Sequence, residues 1–315
     1  MRLAKAISLR FLFGLLSLLF ISFVTFVANA AAPDAAVVLA GEKATPETVQ
    51  RIRVNMGLDK PWPIRYVRSL NDTVHGDFGT SYYGTKEPVR DILARDIPMT
   101  VRLALCAMLV ASIVGILLGT FAAVYQNRFG DRTVLTFSTL GVTLPNFVLG
   151  PLLVYVFCLK LDQLPQTWEV TRVVPDSYYL ILPIVVLAMR PAALLTRLTR
   201  VSMIETLQQE FIRTAVAKGV PRLSLIFKHA LRNAILPVVT AIGTSFGFLL
   251  TGSFVVERFF VLPGLGRETI EAIQTGNTPV LQACILLTGA MFIVVNLLVD
   301  ILLPILDPRI RESQI

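Results

Sequence analysis

Long apolar windows, separated by short segments that carry most of the charges, dominate the pattern of this chain. Crossing about 30 Å of hydrocarbon takes about 20 helical residues, and five windows without a charged residue exceed that length. A sixth stretch is apolar apart from Arg190 near its middle. The six windows, which predict six transmembrane helices in an all-α polytopic membrane protein, are residues 11–33, 103–127, 133–159, 177–196, 233–256 and 272–299.

The first window leaves two interpretations open. Arg2, Lys5 and Arg10 precede an apolar run that ends in Ala28-Asn29-Ala30, which is typical of a secretory signal with a small-residue cleavage site. The run from Phe11 to Val27 is longer than the apolar core of most signals, about 7–15 residues, and this favours a retained anchor. In both cases the segment that follows starts outside the membrane.

Basic residues predict the orientation. The short segment 126–133 carries Arg128 and Arg132, and the segment 197–232 is strongly basic. Because short cytoplasmic loops are rich in Lys and Arg, we place both segments and both termini in the cytoplasm. The predicted regions are a tail and first span at 1–30, an external loop at 31–98, and a five-span core at 99–315 that contains a cytoplasmic elbow at 199–233.

The external loop is predicted to be partly helical. Residues 46–58 form an amphipathic pattern that Thr45 caps and Gly57 closes. The segment after it is rich in turns and aromatic side chains. Two interpretations remain open: a cap resting at the level of the lipid headgroups, or a docking face for something that arrives from outside. The aromatic residues are Trp62, Tyr66, Phe78, Tyr82 and Tyr83.

The elbow, residues 199–233, is a polar and basic island between apolar windows. Lys218 and Gly219 are typical of a helix end, because Gly adopts the left-handed conformation and Lys suits the negative end of the helix dipole. An elbow with an apolar stripe is a candidate docking surface for another protein. The alternative is a basic loop held by anionic lipid headgroups. The residues that predict one striped helix are Ile204, Leu207, Phe211 and Ala215.

Composition agrees with the membrane class. The chain is 54% hydrophobic and 16% charged, whereas soluble domains carry about 25% charged residues. Cytoplasmic loops explain the net charge of +8 better than nucleic-acid binding does. The three cysteines lie in apolar windows and the two histidines are far apart, so neither a metal site nor a disulfide is predicted.

Motifs for catalysis are missing from the sequence. The run from Gly79 to Lys86 has the glycine spacing of a P-loop but ends in Gly-Thr-Lys where Gly-Lys-Ser/Thr is required. We therefore predict no catalytic residue, no cofactor and no ATP hydrolysis by this chain. A secondary transporter would need acidic or His groups in its spans, and only Asp300, near a span end, approaches this. An intramembrane enzyme would need a catalytic cluster there.

Three features inside the spans are candidates for a translocation path. Arg190 is costly at membrane depth, so it faces either a path, where it could contact a substrate carboxylate, or backbone carbonyls near Pro191. Pro145 and Asn146 are predicted to break the third span and Pro191 the fourth, either as simple kinks or to expose backbone along a path. Small-residue pairs at Gly115/Gly119 and Gly243/Gly247 predict close helix packing.

The elbow also carries a family resemblance. Residues 211–219 (FIRTAVAKG) and 229–237 (HALRNAILP) resemble the cytoplasmic signature of ABC-importer permeases, in particular the dipeptide/oligopeptide (and nickel) branch. Stretches at 58–61, 76–81, 263–266, 296–300 and 307–311 are similar to that branch in the same order. The general signature begins Glu-Ala-Ala where this chain has Arg213-Thr214-Ala215, a departure expected of the peptide branch.

The resemblance implies a bacterial inner-membrane permease of a binding-protein-dependent importer, with peptides as the expected cargo and nickel, glutathione or oligosaccharides as alternatives. It implies an elbow that sits in a groove of a cytoplasmic ATPase, with ATP and Mg held on two such partner subunits. A paralogous permease subunit and an extracytoplasmic binding protein are the other expected partners. The implied ATPase contacts are Arg213, Thr214, Ala215, Lys218 and Gly219.

Overall fold

The computed structural model describes residues 2–30, 34–41, 44–83, 86–168 and 175–306, and within these ranges every regular element is a helix. Two helices continue into π-helical turns, Tyr155–Lys160 after α7 and Leu225–Leu231 after α10. The helices are α1 (Arg2–Ala30), α2 (Ala35–Ala40), α3 (Pro46–Asn55), α4 (Trp62–Val74), α5 (Val89–Val124), α6 (Phe129–Thr143), α7 (Asn146–Val154), α8 (Asp176–Leu207), α9 (Glu210–Ala217), α10 (Arg222–Ser224), α11 (Arg232–Phe259), α12 (Leu265–Thr275) and α13 (Thr278–Leu306).

Among the described residues, five helices are long and apolar enough to cross a membrane, and a sixth crossing exists if α6 and the helix from Asn146 to Lys160 count as one span. These two helices meet at 109°. The break at Pro145 and Asn146 is therefore confirmed, and its cause is local. Leu144 is extended (φ −74°, ψ 119°), the conformation that the proline ring after it favours by disfavouring the helical region.

The predicted break at Pro191 is wrong. Residue 191 lies inside α8, which runs without interruption from Asp176 to Leu207. The described residues form two compact units, one within 3–100 and 262–293 and one within 101–261 and 294–306. The predicted boundaries at 30/31 and 98/99 remain predictions about which side of the membrane each region faces.

The segment predicted to be an external loop is more helical than expected. Helix α3 begins after Thr45, whose Oγ1 accepts from the Thr48 N–H, and closes at Gly57, which has φ +66°. Helix α4, by contrast, occupies the segment predicted to be rich in turns. Pro61 and Pro63 favoured the prediction of turns over that of a helix, although proline is well tolerated at a helix start. On α4, the Tyr66 ring contacts Phe23 and Phe26 of α1, at centroid distances of 5.5 and 5.2 Å.

The core of the first unit packs the start of α5 against α12 and α13. Thr100 Oγ1 accepts the N–H of Leu265, so the first residue of α12 is tied to α5. Glu268 lies in the next turn of α12. Burial, with the neighbouring Asp96 and Glu271 carboxylates, raises the pKa of Glu268 from 4.5 to about 7, although Arg267 and Arg95 oppose the rise.

This raised pKa predicts a pH-dependent stability. Between pH 4.5 and about 7 the folded protein holds a proton on Glu268 that the unfolded chain has lost, so the free energy of unfolding falls as pH rises through this window and levels off above it. We expect the thermal midpoint to fall by a few degrees between pH 5 and 7.5. Glu268→Gln should remove most of that slope, and an unchanged slope would contradict the assignment.

In the second unit, α8 is the central helix and packs against α5, α6 and α11. Gly115 and Gly119 of α5 lie against Leu195 and Thr199 of α8, where an added Cβ would come within 2.6 and 2.5 Å of those side chains. A Cβ on Gly243 would lie 2.4 Å from Val299. The close helix packing predicted from the glycine pairs is therefore confirmed at Gly115, Gly119 and Gly243.

Candidate functional site

The elbow is built on a small apolar core. Helix α9 turns Ile212 into a cluster whose buried members come from α5, α8, the π-helical turn and α11. Ile212 of α9 is tightly packed among these helices. A displacement of α9 would therefore move the side chains of α8 and α11 in the same cluster. The buried members are Ala123, Met203, Ile212, Ile226, Ala230 and Ala234.

The single helix predicted through residues 204–218 is wrong. Helix α8 ends at Leu207, Gln209 is extended (φ −72°, ψ 151°), and α9 begins at Glu210. Ile204 and Leu207 pack against the elbow core, whereas Phe211 is 43% exposed. The turn contains neither Gly nor Pro, so no local signal marks it in the sequence.

The predicted end of α9 is confirmed. Gly219 has φ +73°, the left-handed conformation that glycine adopts without a steric penalty. The Gly219 N–H donates to the Val216 carbonyl (2.9 Å) and the Val220 N–H to the Ala215 carbonyl (3.2 Å). This pair of bonds is the Schellman motif, which satisfies carbonyls at the helix end and fixes the direction in which the chain leaves. Pro221 then precedes α10.

The five residues predicted to contact a partner lie close together on α9 and its end, but they do not share one face. Arg213, Thr214, Lys218 and Gly219 are exposed. Ala215 is only 8% exposed, so its methyl group faces the chain itself. Arg213 donates to Glu210 (2.8 Å) in a pair that is exposed on both sides, and such pairs contribute little stability.

Sequence reasoning found Phe211 but missed the other exposed apolar residues of this surface. Four large apolar side chains of the elbow lie open on the described chain, and Leu223 is 72% exposed. Basic residues lie beside them in the sequence, including Lys218, Arg222 and Lys228, all exposed. An apolar patch with a charged rim is the usual composition of a protein interface. We name this set the elbow patch: Phe211, Val216, Leu223 and Phe227.

A second feature that the sequence did not reveal is an ion pair that joins the elbow to α6. Arg200 of α8 donates from two nitrogens to the two carboxylate oxygens of Asp131, at 2.6 and 2.7 Å. Asp131 also accepts the N–H of Asn127 (2.8 Å). The Asp131 side chain is 2% exposed and that of Arg200 17%. The pair is thus largely buried and bidentate, a geometry that fixes orientation.

The three candidate path residues lie in the second unit, Arg190 on α8 and Pro145 with Asn146 at the bend between α6 and α7. Arg190 is exposed on α8 and makes no hydrogen bond or ion pair with any described residue, including the carbonyls around Pro191. It shares one stripe of α8, at positions i, i+4, i+7 and i+11, with Leu194, Arg197 and Val201, all exposed. Asn146 is half-buried and Pro145 is exposed at the bend between α6 and α7.

Comparison with known proteins shows which family this chain belongs to. The pattern of the binding-protein-dependent transport system inner membrane component matches residues 115–312, and that of the N-terminal part of such membrane components matches residues 3–104. The chain belongs to this family of permeases. It is a multi-pass protein of the bacterial inner membrane.

Known relatives align with this chain over nearly its whole length. A probable peptide ABC transporter permease of Sinorhizobium fredii (strain NGR234) is 36% identical over 92% of this chain and 93% of its own. A putative peptide transport system permease of Brucella abortus (strain 2308) is 39% identical over 93% and 95%. A glutathione transport system permease of Escherichia coli (strain K12) is 40% identical over 95% and 97%. The permease resemblance seen at the elbow is therefore confirmed.

Proposed function

We propose that this permease forms the translocation path of an ATP-driven importer for di- and oligopeptides, and that the elbow receives the force of ATP hydrolysis from separate subunits. The observation that carries the proposal is the elbow patch, an exposed apolar set on α9 and the segment that follows it, while Ile212 of the same α9 is buried among α5, α8 and α11. Relatives named as peptide and glutathione permeases favour a peptide cargo over nickel or an oligosaccharide.

The proposed topology places the elbow and both termini in the cytoplasm. Its basis is the excess of basic residues at 126–133 and 197–232. Two ATPase subunits, which hold the ATP and Mg, bind from that side, and this permease hydrolyses nothing itself. A second, paralogous permease completes the path, and a binding protein delivers cargo from outside to the region of residues 31–98.

The proposed ATPase contact consists of Arg213, Thr214, Lys218 and Gly219 together with the elbow patch. Ala215 has a different part. Its buried methyl group packs α9 against the chain, and its carbonyl accepts the Val220 N–H that closes the helix. Ala215 therefore sets the shape of the elbow, while the exposed residues around it touch the partner.

Leu223→Asp tests the elbow patch. Leu223 has few contacts within the chain to lose, so the variant should insert and fold normally, yet a carboxylate placed in an apolar contact should reduce ATPase subunits co-purified with the permease about tenfold or more. The matched control is Val74→Asp, because Val74 is 81% exposed in the segment 31–98 that is proposed to be external. Equal retention of the ATPase by both variants would exclude the patch as the contact.

Arg190 is proposed to line the path and to contact the carboxylate of the cargo. A charge on an exposed stripe at membrane depth is costly against lipid, so that stripe is expected to face water or a partner subunit. Pro145 and Asn146 are proposed to line the path at the bend, where a helix break leaves backbone groups free for water or cargo.

Arg190→Ala should reduce the uptake of peptides with a free carboxylate about tenfold, since a hydrogen bond to a charged group contributes about 1.5–3 kcal/mol. Arg190→Lys should retain part of the uptake. The measurement is uptake into proteoliposomes that contain the assembled importer, with a C-terminally amidated peptide as comparison. Uptake and substrate range that stay unchanged in Arg190→Ala would remove Arg190 from the path.

Reconstitution tests the function as a whole. The permease with its partner subunits and binding protein should take up peptide only when ATP and the ATPase subunits are present. Uptake that follows an ion gradient without those subunits would instead establish a secondary transporter. Uptake of nickel or an oligosaccharide, but not of peptides, would keep the importer mechanism and correct the cargo.

A further inference from the structure

The first unit contains a cavity of about 790 Å³ that the coupling mechanism does not use. It is lined by the end of α1, by α3 and α4, and by the start of α13. All of these belong to the same compact unit. In the proposed topology it opens on the side from which cargo arrives. Its volume is within the range of small-molecule sites, about 300–1,000 Å³.

The lining carries acidic and basic side chains in equal number, four of each. A site for an anion or for a metal cation would be dominated by one sign of charge. Within the described ranges, moreover, no group of three or more His, Cys, Asp or Glu could hold a metal ion. Balanced charge favours a ligand that is itself a zwitterion.

One wall of the cavity is a row of polar side chains on α4. Arg65, Arg68, Ser69 and Asp72 occupy positions i, i+3, i+4 and i+7 of that helix and therefore project to one side of it. The row is basic at its start and acidic at its end. Seven residues of helix separate Arg65 from Asp72, a distance of about 10.5 Å along the axis.

The charges at the two ends of this row are available for a ligand. Arg65 lies over the Phe26 ring at 5.9 Å and makes no ion pair within the described part of the chain. Asp72 has Arg68 as a neighbour, at 3.8 Å and with both side chains largely open to solvent. A contact of that length and exposure holds the carboxylate weakly.

Beside this row is a chain of amide and hydroxyl groups. Asn29 Nδ2 donates to Gln282 Oε1 (3.0 Å), and Gln282 Nε2 donates to Ser69 Oγ (3.2 Å). All three residues line the cavity. Each side-chain amide keeps a second N–H and a further lone pair, the groups that pair with a peptide backbone.

We infer that this cavity binds a free peptide of about three residues before it enters the path, an inference that rests on the proposed peptide cargo. The carboxylate of the peptide pairs with Arg65 and its ammonium group with Asp72, while its backbone pairs with Asn29, Ser69 and Gln282. Three extended residues span about 10 Å, which is close to the separation of residues 65 and 72 along the axis of α4.

Equilibrium dialysis of radiolabelled trialanine against the permease, purified with its companion subunits and without the binding protein, tests the site. Wild type should bind trialanine, and Arg65→Gln and Asp72→Asn should each bind it about tenfold more weakly, the effect of one charge-assisted contact. Arg51→Gln and Asp91→Asn are matched controls that should bind like wild type, because both side chains are exposed in the same unit outside the cavity.

Capped peptides identify which end each residue holds. Trialanine amide, which lacks the carboxylate, should bind wild type as weakly as trialanine binds Arg65→Gln. Acetyl-trialanine, which lacks the ammonium group, should bind wild type as weakly as trialanine binds Asp72→Asn. Dialanine and pentaalanine should bind less well than trialanine. Equal binding of capped and free peptides, or of wild type and both variants, would overturn the inference.

The outcome is separable from that of the proposed function. ATP-driven peptide uptake with no trialanine binding to the permease would overturn this site and leave the importer intact. Binding without any ATP-driven uptake would do the reverse. Variants that lose only their association with the binding protein, with no peptide bound in wild type, would overturn the peptide site in favour of a docking face.

Discussion

Gly219→Val is expected to abolish most uptake while leaving the permease inserted and assembled. A β-branched residue at φ +73° is strained by about 1–2 kcal/mol or more. Relief of that strain rotates the chain out of the Schellman geometry and turns α9 away from its fixed direction. Because about 1.4 kcal/mol changes an equilibrium tenfold, we expect uptake in proteoliposomes to fall about tenfold or more while ATP hydrolysis continues.

Two further variants separate backbone geometry from general damage. The space around a Cβ at Gly219 is open, with no described atom within 4 Å, so the side chain itself has room within this chain. Gly219→Asn should therefore retain most of the uptake, since Asn tolerates the left-handed conformation. Gly76 has φ +77° and equally open surroundings at the end of α4. Gly76→Val should keep normal coupling, and normal uptake by Gly219→Val would refute the lever mechanism.

Asp131→Asn is expected to lower the free energy of unfolding by about 3–5 kcal/mol, because it leaves the charge of Arg200 largely buried without its partner. The measurement is the thermal midpoint of the purified permease. Arg197→Gln is the matched control on the same helix. Arg197 is exposed and makes no hydrogen bond or ion pair with the described residues, so its loss should change stability by less than about 0.5 kcal/mol.

The double variant tests whether the effect belongs to the pair. With both charges removed, Asp131→Asn/Arg200→Gln has no unpaired ion in the interior and should be more stable than the sum of the single changes predicts. Both variants that change Asp131 also weaken the hydrogen bond that the Asn127 N–H donates to this side chain. Strictly additive destabilisation would show that the bidentate contact does not couple α6 to α8.

The elements that the sequence predicts well are those with a strong local cause. Apolar windows long enough to cross the bilayer predict the spans. Gly219 predicts the end of α9, and Pro145 predicts the bend after α6. Each depends on residues that are neighbours in the chain. The family resemblance at residues 211–219 is local as well.

The failures have equally physical causes. The turn at Gln208 and Gln209 uses ordinary residues, so nothing in the sequence marks it. Pro191 does not break α8, which has neighbouring helices packed along it that hold it in place. The Arg200–Asp131 pair joins residues 69 positions apart, and a single sequence does not reveal which distant charges meet.

The elbow patch could have been found only in part. A helical stripe predicts that α9 has an apolar side, but packing decides which apolar residues that side buries. Ile212 enters the core, and Phe211 beside it does not. Leu223 lies beyond the glycine bend, so only the geometry of that bend reveals that it is open to a partner.

A photocrosslinking amino acid at position 218 tests the central claim most directly. Lys218 is exposed at the end of α9. Illumination of the assembled importer should link position 218 to an ATPase subunit, and the yield should change when ATP binds. The same group at the exposed position 74 should give no such product. Absence of the ATPase product from position 218 in an importer that transports peptide, or equal yields from both positions, would contradict the account.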